Sequence, residues 1–164
     1  MQINYVTDTQ GYLDITFGPK WEYIPLTRNF IESFLLINVI DKQNINKIAV
    51  AASELLENAV KFSNKDGVRM TIKKNVIESK VELRVFNYSD KTKALALKEY
   101  IEKTNAIEDK LHFYIDKMKE SVTRNDGKAC LGIPRICYEA QAEMHCEYNE
   151  NEGVVEVISL FTIK

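Results

Sequence analysis

The feature that most constrains the fold is an amphipathic pattern over residues 48–62. At about 100° per residue, one helical face collects apolar side chains: Ile48, Ala52, Leu55 and Ala59. A second stripe carries Glu54, Asn58 and Lys61 at steps of four and three residues. The pattern predicts one helix that projects an acid, an amide and an amine side by side while its opposite face is buried.

Those three polar side chains suit a magnesium–phosphate site. Mg²⁺ prefers oxygen ligands and often takes only one or two from the protein, the others coming from phosphates and water. Asn58 offers a neutral oxygen as the metal ligand, Glu54 can deprotonate an attacking hydroxyl or water, and Lys61 can offset phosphate charge. The alternative is an ordinary solvated face, which is what charge stripes on helices usually form.

The string Glu54-Leu-Leu-Glu-Asn58-Ala-Val-Lys61-Phe62-Ser63 resembles the nucleotide-binding helix of the GHKL ATPase superfamily, which contains DNA gyrase, heat-shock chaperones, histidine kinases and the anti-sigma-factor kinases. The family pattern is Glu-Leu-x-x-Asn-Ala-x-Lys, followed by an aromatic residue or His and a small residue. The resemblance implies a histidine-kinase-like ATPase fold that binds ATP and Mg²⁺. In that fold Glu54 is the general base, Asn58 the magnesium ligand and Lys61 a phosphate contact.

The second motif of this superfamily, Asp-x-Gly-x-Gly, is expected after the predicted strand at residues 81–86. This chain has Asn87-Tyr-Ser-Asp90 there, without a glycine. Asn87 stands in the place of the adenine-reading Asp, with Asp90 as the less favoured substitute. Asn87 can still accept a hydrogen bond from an adenine amino group through its carbonyl oxygen.

The third motif is similar to the segment Gly127-Lys-Ala-Cys-Leu131-Gly132-Ile133. The resemblance implies that Gly127, Leu131 and Gly132 meet the triphosphate at a helix start, where backbone amides favour anions. The alternative is a turn at Gly127 and a packing position at Gly132. The helical stretch at residues 92–121 stands in the place of the ATP lid.

Periodicity and turn signals predict the remaining elements. Strands are expected at residues 3–6, 12–17, 68–74, 80–86, 143–148 and 154–163, and helices at 26–39, from a cap at Asn44 or Asn46 to 62, and at 92–105, 107–121 and 131–142. This order predicts an α+β two-layer sandwich, in which helices cover one face of a mixed, mostly antiparallel sheet. Since the 164 residues contain no linker or repeat, we predict a single domain.

Composition excludes several classes of function. A formal net charge of −2 gives no electrostatic case for binding nucleic acid or an anionic membrane. No apolar run approaches the roughly 20 residues that span a bilayer, and the start of the chain lacks a signal pattern, so we expect a cytoplasmic protein. Three cysteines without CxxC spacing predict plain thiols, and neither His112 nor His145 belongs to a metal or nucleophile constellation.

The mixture of an intact first motif and a degenerate second one resembles the SiaB-like protein kinases, distant relatives of the anti-sigma-factor kinases. This resemblance implies an ATP-dependent protein Ser/Thr kinase of a bacterial partner-switching system, acting on a small partner of the anti-sigma-factor-antagonist type. Relatives of this kind often pair, so a homodimer is expected. The other function is a non-catalytic binding module of the same fold, which has lost nucleotide binding and sequesters a partner.

Overall fold

The computed structural model describes residues 9–18, 20–38, 40–65, 67–75, 77–123 and 131–163. Its elements follow the order β1 (Thr9–Phe17), α1 (Tyr23–Ile37), α2 (Lys42–Phe62), β2 (Val68–Asn75), β3 (Lys80–Tyr88), α3 (Lys91–Asn105), α4 (Lys110–Thr123), α5 (Gly132–Arg135), a π-helical turn (Ile136–Ala140), β4 (Glu143–Asn149) and β5 (Val154–Thr162). This succession confirms the α+β two-layer sandwich. The strand predicted at residues 3–6 lies outside the described residues.

The five strands form one sheet in the order β1-β2-β3-β5-β4, and its four described pairings are all antiparallel. In the central strand β3, side chains alternate between buried and half-buried positions. Because this alternation has a period of two, Asn87 points to the same helix-covered side as Val85 and Leu83. The end of β3 therefore brings a polar side chain into the layer between sheet and helices.

Helix α2 forms as the periodicity predicts, and its buried face includes the four predicted residues. Its predicted cap at Asn44 or Asn46 is wrong. The helix begins earlier because a carboxylate oxygen of Asp41 accepts the backbone N–H groups of Gln43 and Asn44, each at 3.0 Å. Asp41 thereby satisfies two of the amide donors that a helix start leaves without partners.

Helix α1 begins at Tyr23, three residues before its predicted start, with Pro25 in the first turn, where a proline is tolerated. The helix buries Ile24, Thr27, Ile31 and Leu35 against the fold. Two apolar residues on which its prediction relied, Phe30 and Ile37, are instead 63% and 80% exposed. Part of the apolar pattern of α1 therefore lies on the outer surface.

The last predicted helix, at residues 131–142, is in fact a short α5 followed by a π-helical turn. Pro134 lies in the first turn of α5, where its missing N–H would have no helical partner. The π-helical turn ends at Ala140 and is capped by Gln141, whose backbone is left-handed with φ 54°, and β4 begins at Glu143. The helical part, residues 132–140, is therefore three residues shorter than predicted.

Helix α4 differs from the other long helices because it contains no buried residue. The ring of Tyr114 packs on Tyr138 with a centroid separation of 5.4 Å, and Lys110 Nζ donates to the carbonyl oxygen of Asn105 at 2.8 Å.

No helix in the described part of the chain is long and apolar enough to cross a membrane.

Candidate functional site

A cavity of about 360 Å³ lies between α2, the ends of β3 and β5, α3 and the start of α5. Most of its lining is apolar, from Leu55, Ala59, Phe62, Val85, Ala94, Ala96, Leu97, Tyr100, Ile133, Val155 and Val157. Five polar or charged side chains also reach it: Asn58, Lys61, Asn87, Ser89 and Lys93. An apolar cavity with a few convergent polar groups is the usual form of a small-molecule site.

The cavity brings together residues from all three predicted motifs. Asn58 and Lys61 line it from α2, Asn87 from the end of β3, and Gly132 from the first residue of α5. Leu131 immediately precedes α5 and does not line the cavity. Gly127, the remaining predicted contact, lies outside the described residues.

Two residues of the predicted stripe, Asn58 and Lys61, face this cavity and make few contacts with other side chains. The side chain of half-buried Asn58 makes no hydrogen bond within the described part of the chain. Lys61 is exposed, and its Nζ lies 5.4 Å from the centroid of the Phe62 ring. An amide oxygen and an ammonium group are thus both available to a ligand.

At the end of β3, Asn87 and Ser89 are only 7% and 4% exposed. The Nδ2 atom of Asn87 donates to the Tyr88 carbonyl oxygen at 3.0 Å. Its Oδ1 atom and the Ser89 hydroxyl have no protein partner among the described residues. Because both residues line the cavity, these atoms can bind a ligand or water there.

Asp90 serves as the N-cap of α3. Its Oδ1 accepts the backbone N–H of Lys93 at 2.9 Å, and Oδ2 lies 3.2 Å from Lys93 Nζ. These contacts, the backbone bond first, hold the pKa of Asp90 below its ordinary value. Asp90 is therefore engaged at the helix start, whereas Asn87 and Ser89 of this segment face the cavity.

Glu54 has a different environment from Asn58 and Lys61. Its Oε1 lies 2.9 Å from Nη1 of Arg135, and the side chain is not part of the cavity lining. Arg135 also binds Glu139, whose other oxygen accepts the Tyr114 hydroxyl at 3.0 Å. The hydrogen bonds that Arg135 donates, first to Glu139 and second to Glu54, raise its pKa. In this structure the Glu54 carboxylate is therefore paired with Arg135 of α5, and its role as the base stays a prediction.

Gly132 lies next to the side chains of both Glu54 and Asn58. A Cβ atom at this position would lie 2.9 Å from Glu54 Oε2 and 3.3 Å from Asn58 Nδ2. The close approach of α5 to α2 therefore favours a glycine, because a larger residue would press on Glu54 and Asn58. The closest atom belongs to the end of a flexible side chain, so an added methyl group would displace Glu54 more readily than it would unfold the protein.

Sequence reasoning missed three polar residues of this region: Ser89, Lys93 and Arg135. Ser89 could have been found, since it lies two residues after Asn87 and the period of a strand places both on one face. Lys93 could not have been found in this way, because its place at the cavity depends on where α3 begins. Arg135 meets Glu54 across 81 residues of sequence, and no local pattern marks that contact.

Among the described residues, no group of three His, Cys, Asp or Glu side chains could hold a metal. Cys137 and Cys146 are buried, and burial raises the pKa of both thiols, to about 11 for Cys146. Cys130 lies outside the described residues. His112 and His145 are exposed, each with a neighbouring carboxylate at 3.2 Å.

This chain resembles known proteins in its structure but matches none of those compared in sequence. No family model and no curated protein sequence matches the chain. Among solved structures, a chain of the crystal structure of the SiaB–SiaC complex from Pseudomonas aeruginosa superimposes with a TM-score of 0.72 at 11% sequence identity. The match covers 96% of this chain and 91% of that chain. The chain therefore shares the fold of that protein over nearly its whole length.

Proposed function

We propose that this chain is an ATP- and Mg²⁺-dependent protein Ser/Thr kinase of a bacterial partner-switching system, acting on a small partner of the anti-sigma-factor-antagonist type. The observation that carries the proposal is the cavity in which Asn58, Lys61 and Asn87 converge. Asn58 and Lys61 come from the first motif of one superfamily pattern and Asn87 from the second, and each has a polar atom free for a ligand.

The shape and chemistry of the cavity fit a nucleotide. A volume of about 360 Å³ with apolar walls accommodates an aromatic base. At the buried end, the Asn87 carbonyl oxygen can accept a hydrogen bond from an exocyclic amino group, and the Ser89 hydroxyl can donate or accept one. Toward the exposed side, Lys61 and Lys93 supply positive charge for phosphates.

The donor set also fits Mg²⁺, which often keeps water and phosphate oxygens and takes few ligands from the protein. Asn58 would hold the ion through its side-chain oxygen, and the ion would offset charge on the transferred phosphoryl group. In the transfer itself, the hydroxyl oxygen of a partner Ser or Thr forms a bond to the γ-phosphorus. The bond from that phosphorus to the β,γ-bridging oxygen breaks, and ADP leaves with the electron pair. Glu54 accepts the proton of the hydroxyl once its contact with Arg135 is broken.

The partner assignment draws on the fold comparison. The similar chain was crystallised in a complex of two different proteins, SiaB and SiaC. A fold shared over nearly the whole of both chains supports a protein partner for this chain as well. The small antagonist-type partner and the transfer to Ser or Thr follow from the resemblance of the α2 motif to the anti-sigma-factor kinases.

A second candidate function is a non-catalytic module that sequesters a partner. Two observations favour it. Glu54 is paired with Arg135 instead of facing the cavity, and β3 leads into α3 without the glycines of the superfamily's second motif. In this case the cavity would be a remnant that binds nucleotide weakly or not at all.

Titration calorimetry with Mg-ATP separates the two functions. The kinase proposal expects saturable binding that falls at least about tenfold in Asn58→Ala, because loss of a ligand or its support commonly costs 10- to 100-fold in metal affinity. Asn29→Ala, an exposed asparagine on α1, is the matched control and should bind like the wild type. Absence of binding at millimolar Mg-ATP would contradict the kinase and support the sequestering module.

A further inference from the structure

Arg135 holds Glu54 from a position that the α2 motif does not explain. Its Nη1 donates to Glu54 Oε1 at 2.9 Å, while its Nε donates to Glu139 Oε2 at the same distance. One guanidinium group therefore connects a carboxylate on α2 with a carboxylate on the π-helical turn. Planar guanidinium groups suit this double role because their N–H donors point in fixed directions.

The surroundings of this pair fix its geometry further. The second oxygen of Glu54 packs onto Gly132, so the carboxylate is held on both sides. The Tyr114 hydroxyl donates to Glu139, and the Tyr114 ring packs on Tyr138. A continuous chain of contacts thus runs from α4 through Glu139 and Arg135 to Glu54.

The placement of Glu54 contrasts with that of Asn58, one turn further along the same helix. Asn58 lines the cavity without a hydrogen-bond partner in the described part of the chain, whereas Glu54 lies outside the lining with its charge and one oxygen engaged. A carboxylate in this position is not available to take a proton from a group in the cavity. Rotation of the Glu54 side chain toward the cavity requires that the contact with Arg135 be broken.

We infer that Arg135 is a positioning residue that restrains Glu54 in an inactive orientation, and that Glu139 and Tyr114 tune this restraint by holding Arg135. The inference rests on the proposed function, since it treats Glu54 as the base. Release of Arg135 frees Glu54 to turn toward the cavity. There it can accept a proton from water as the water oxygen bonds to the γ-phosphorus of ATP, the bond to the bridging oxygen breaks, and ADP leaves with the electron pair.

The first test uses the nucleotide-free full chain and needs no catalysis. In Arg135→Gln, the side-chain amide resonance of Asn58 should shift in a ¹⁵N-labelled sample, because the Glu54 carboxylate moves toward the cavity. The matched control is Arg28→Gln, which removes an arginine of similar exposure from an ion pair with Glu32 on α1 and should leave that resonance in place. An unmoved Asn58 resonance in Arg135→Gln overturns the inference.

The second test measures basal hydrolysis of Mg-ATP by phosphate release. Arg135→Gln should raise the rate by about fivefold, the upper end for release of an ion pair this exposed. Glu139→Gln should not raise it, because Arg135 then has Glu54 as its sole carboxylate partner in this cluster. In the double variant Arg135→Gln with Glu54→Gln the gain should disappear, which a merely structural role of Arg135 would not produce.

The outcomes separate this inference from the proposed function. If wild type and Arg135→Gln bind Mg-ATP equally by calorimetry but the rate of hydrolysis does not rise in Arg135→Gln, Arg135 does not restrain Glu54. The kinase proposal then stands. A gain that persists without Glu54 also overturns the restraint. If neither protein binds Mg-ATP, the proposed function fails and this inference fails with it. Should Arg135→Gln not fold, Arg135→Lys replaces it, with a smaller rise expected and a fall contradicting the inference.

Discussion

The two walls of the cavity are built differently. The wall of α2 and the end of β3 presents polar atoms without protein partners, from Asn58, Asn87 and Ser89. The wall of α3 and α5 is largely apolar, and its charged residue Lys93 is paired with Asp90. Arg135 of α5 lies outside the cavity lining and is paired with Glu54 and Glu139. One wall therefore has polar atoms open to a ligand, while the polar atoms next to the other wall are already paired within the protein.

After Asn58→Ala, the largest effect on nucleotide affinity is expected at Gly132, where α5 approaches α2. Gly132→Ala places a methyl group against Glu54 and Asn58, so Mg-ATP binding should weaken by about tenfold, the size of an ordinary overpacking penalty. Calorimetry measures the affinity. Gly18→Ala is the control, since a Cβ there meets nothing within 4 Å. Equal affinities of the two variants would show that the walls do not act together.

A gain in Mg-ATP affinity is expected from a change in the polar wall, formed by α2 and the end of β3. Asn87→Asp introduces a carboxylate where the superfamily has one, and hydrogen bonds to charged groups are stronger than neutral ones by about 1 kcal/mol, so Mg-ATP affinity should rise about fivefold. Unfolding in urea should show a less stable nucleotide-free protein, because the new carboxylate is buried. An unchanged affinity for both ATP and adenosine would mean that this end of β3 does not contact the base.

A smaller loss of Mg-ATP affinity is expected from a change in the opposite wall, formed by α3 and α5. Lys93→Ala removes an exposed charge at the cavity, and exposed ion pairs are worth little, so affinity should fall about twofold to threefold and less at high salt. Lys98→Ala, on the same helix but outside the cavity lining, is the control. A loss in Lys93→Ala as large as that in Gly132→Ala would show that α3 takes part in polar recognition.

The smallest effect on binding is expected in the core outside the cavity. The Ser159 hydroxyl on β5 is fully buried and has no hydrogen-bond partner within the described residues. Ser159→Ala should raise the free energy of unfolding by up to about 1 kcal/mol, measured in urea, because an unpaired polar group is removed. Mg-ATP affinity should not change. A lower stability would instead show that the hydroxyl is hydrated.

The polar wall could be foreseen from the sequence because its geometry is local. The spacing of Glu54, Asn58 and Lys61 fixes their common side of α2 through the helical period, and the strand period carries Asn87 inward with Val85. The order of helices and strands was enough for the fold class. These predictions need no knowledge of distant contacts.

The other wall could not be foreseen because it depends on tertiary placement. The orientation of Glu54 is decided by Arg135, which the fold brings from α5. The start of α2 depends on a competition between Asp41 and Asn44, two residues of equally good capping type, which the sequence alone does not resolve. The π-helical turn before β4 likewise has no signal in the periodicity of residues 131–142.

The absence of buried residues in α4 has a consequence for local stability. Segments with few buried apolar contacts open at a small fraction of the global unfolding free energy and lose protection against amide hydrogen exchange first. Helix α4 is such a segment, and its anchors include the Tyr114 hydroxyl bond to Glu139. Local opening of α4 therefore breaks the outermost link of the chain that ends at Glu54, and a protein docking on α4 could shift that opening equilibrium.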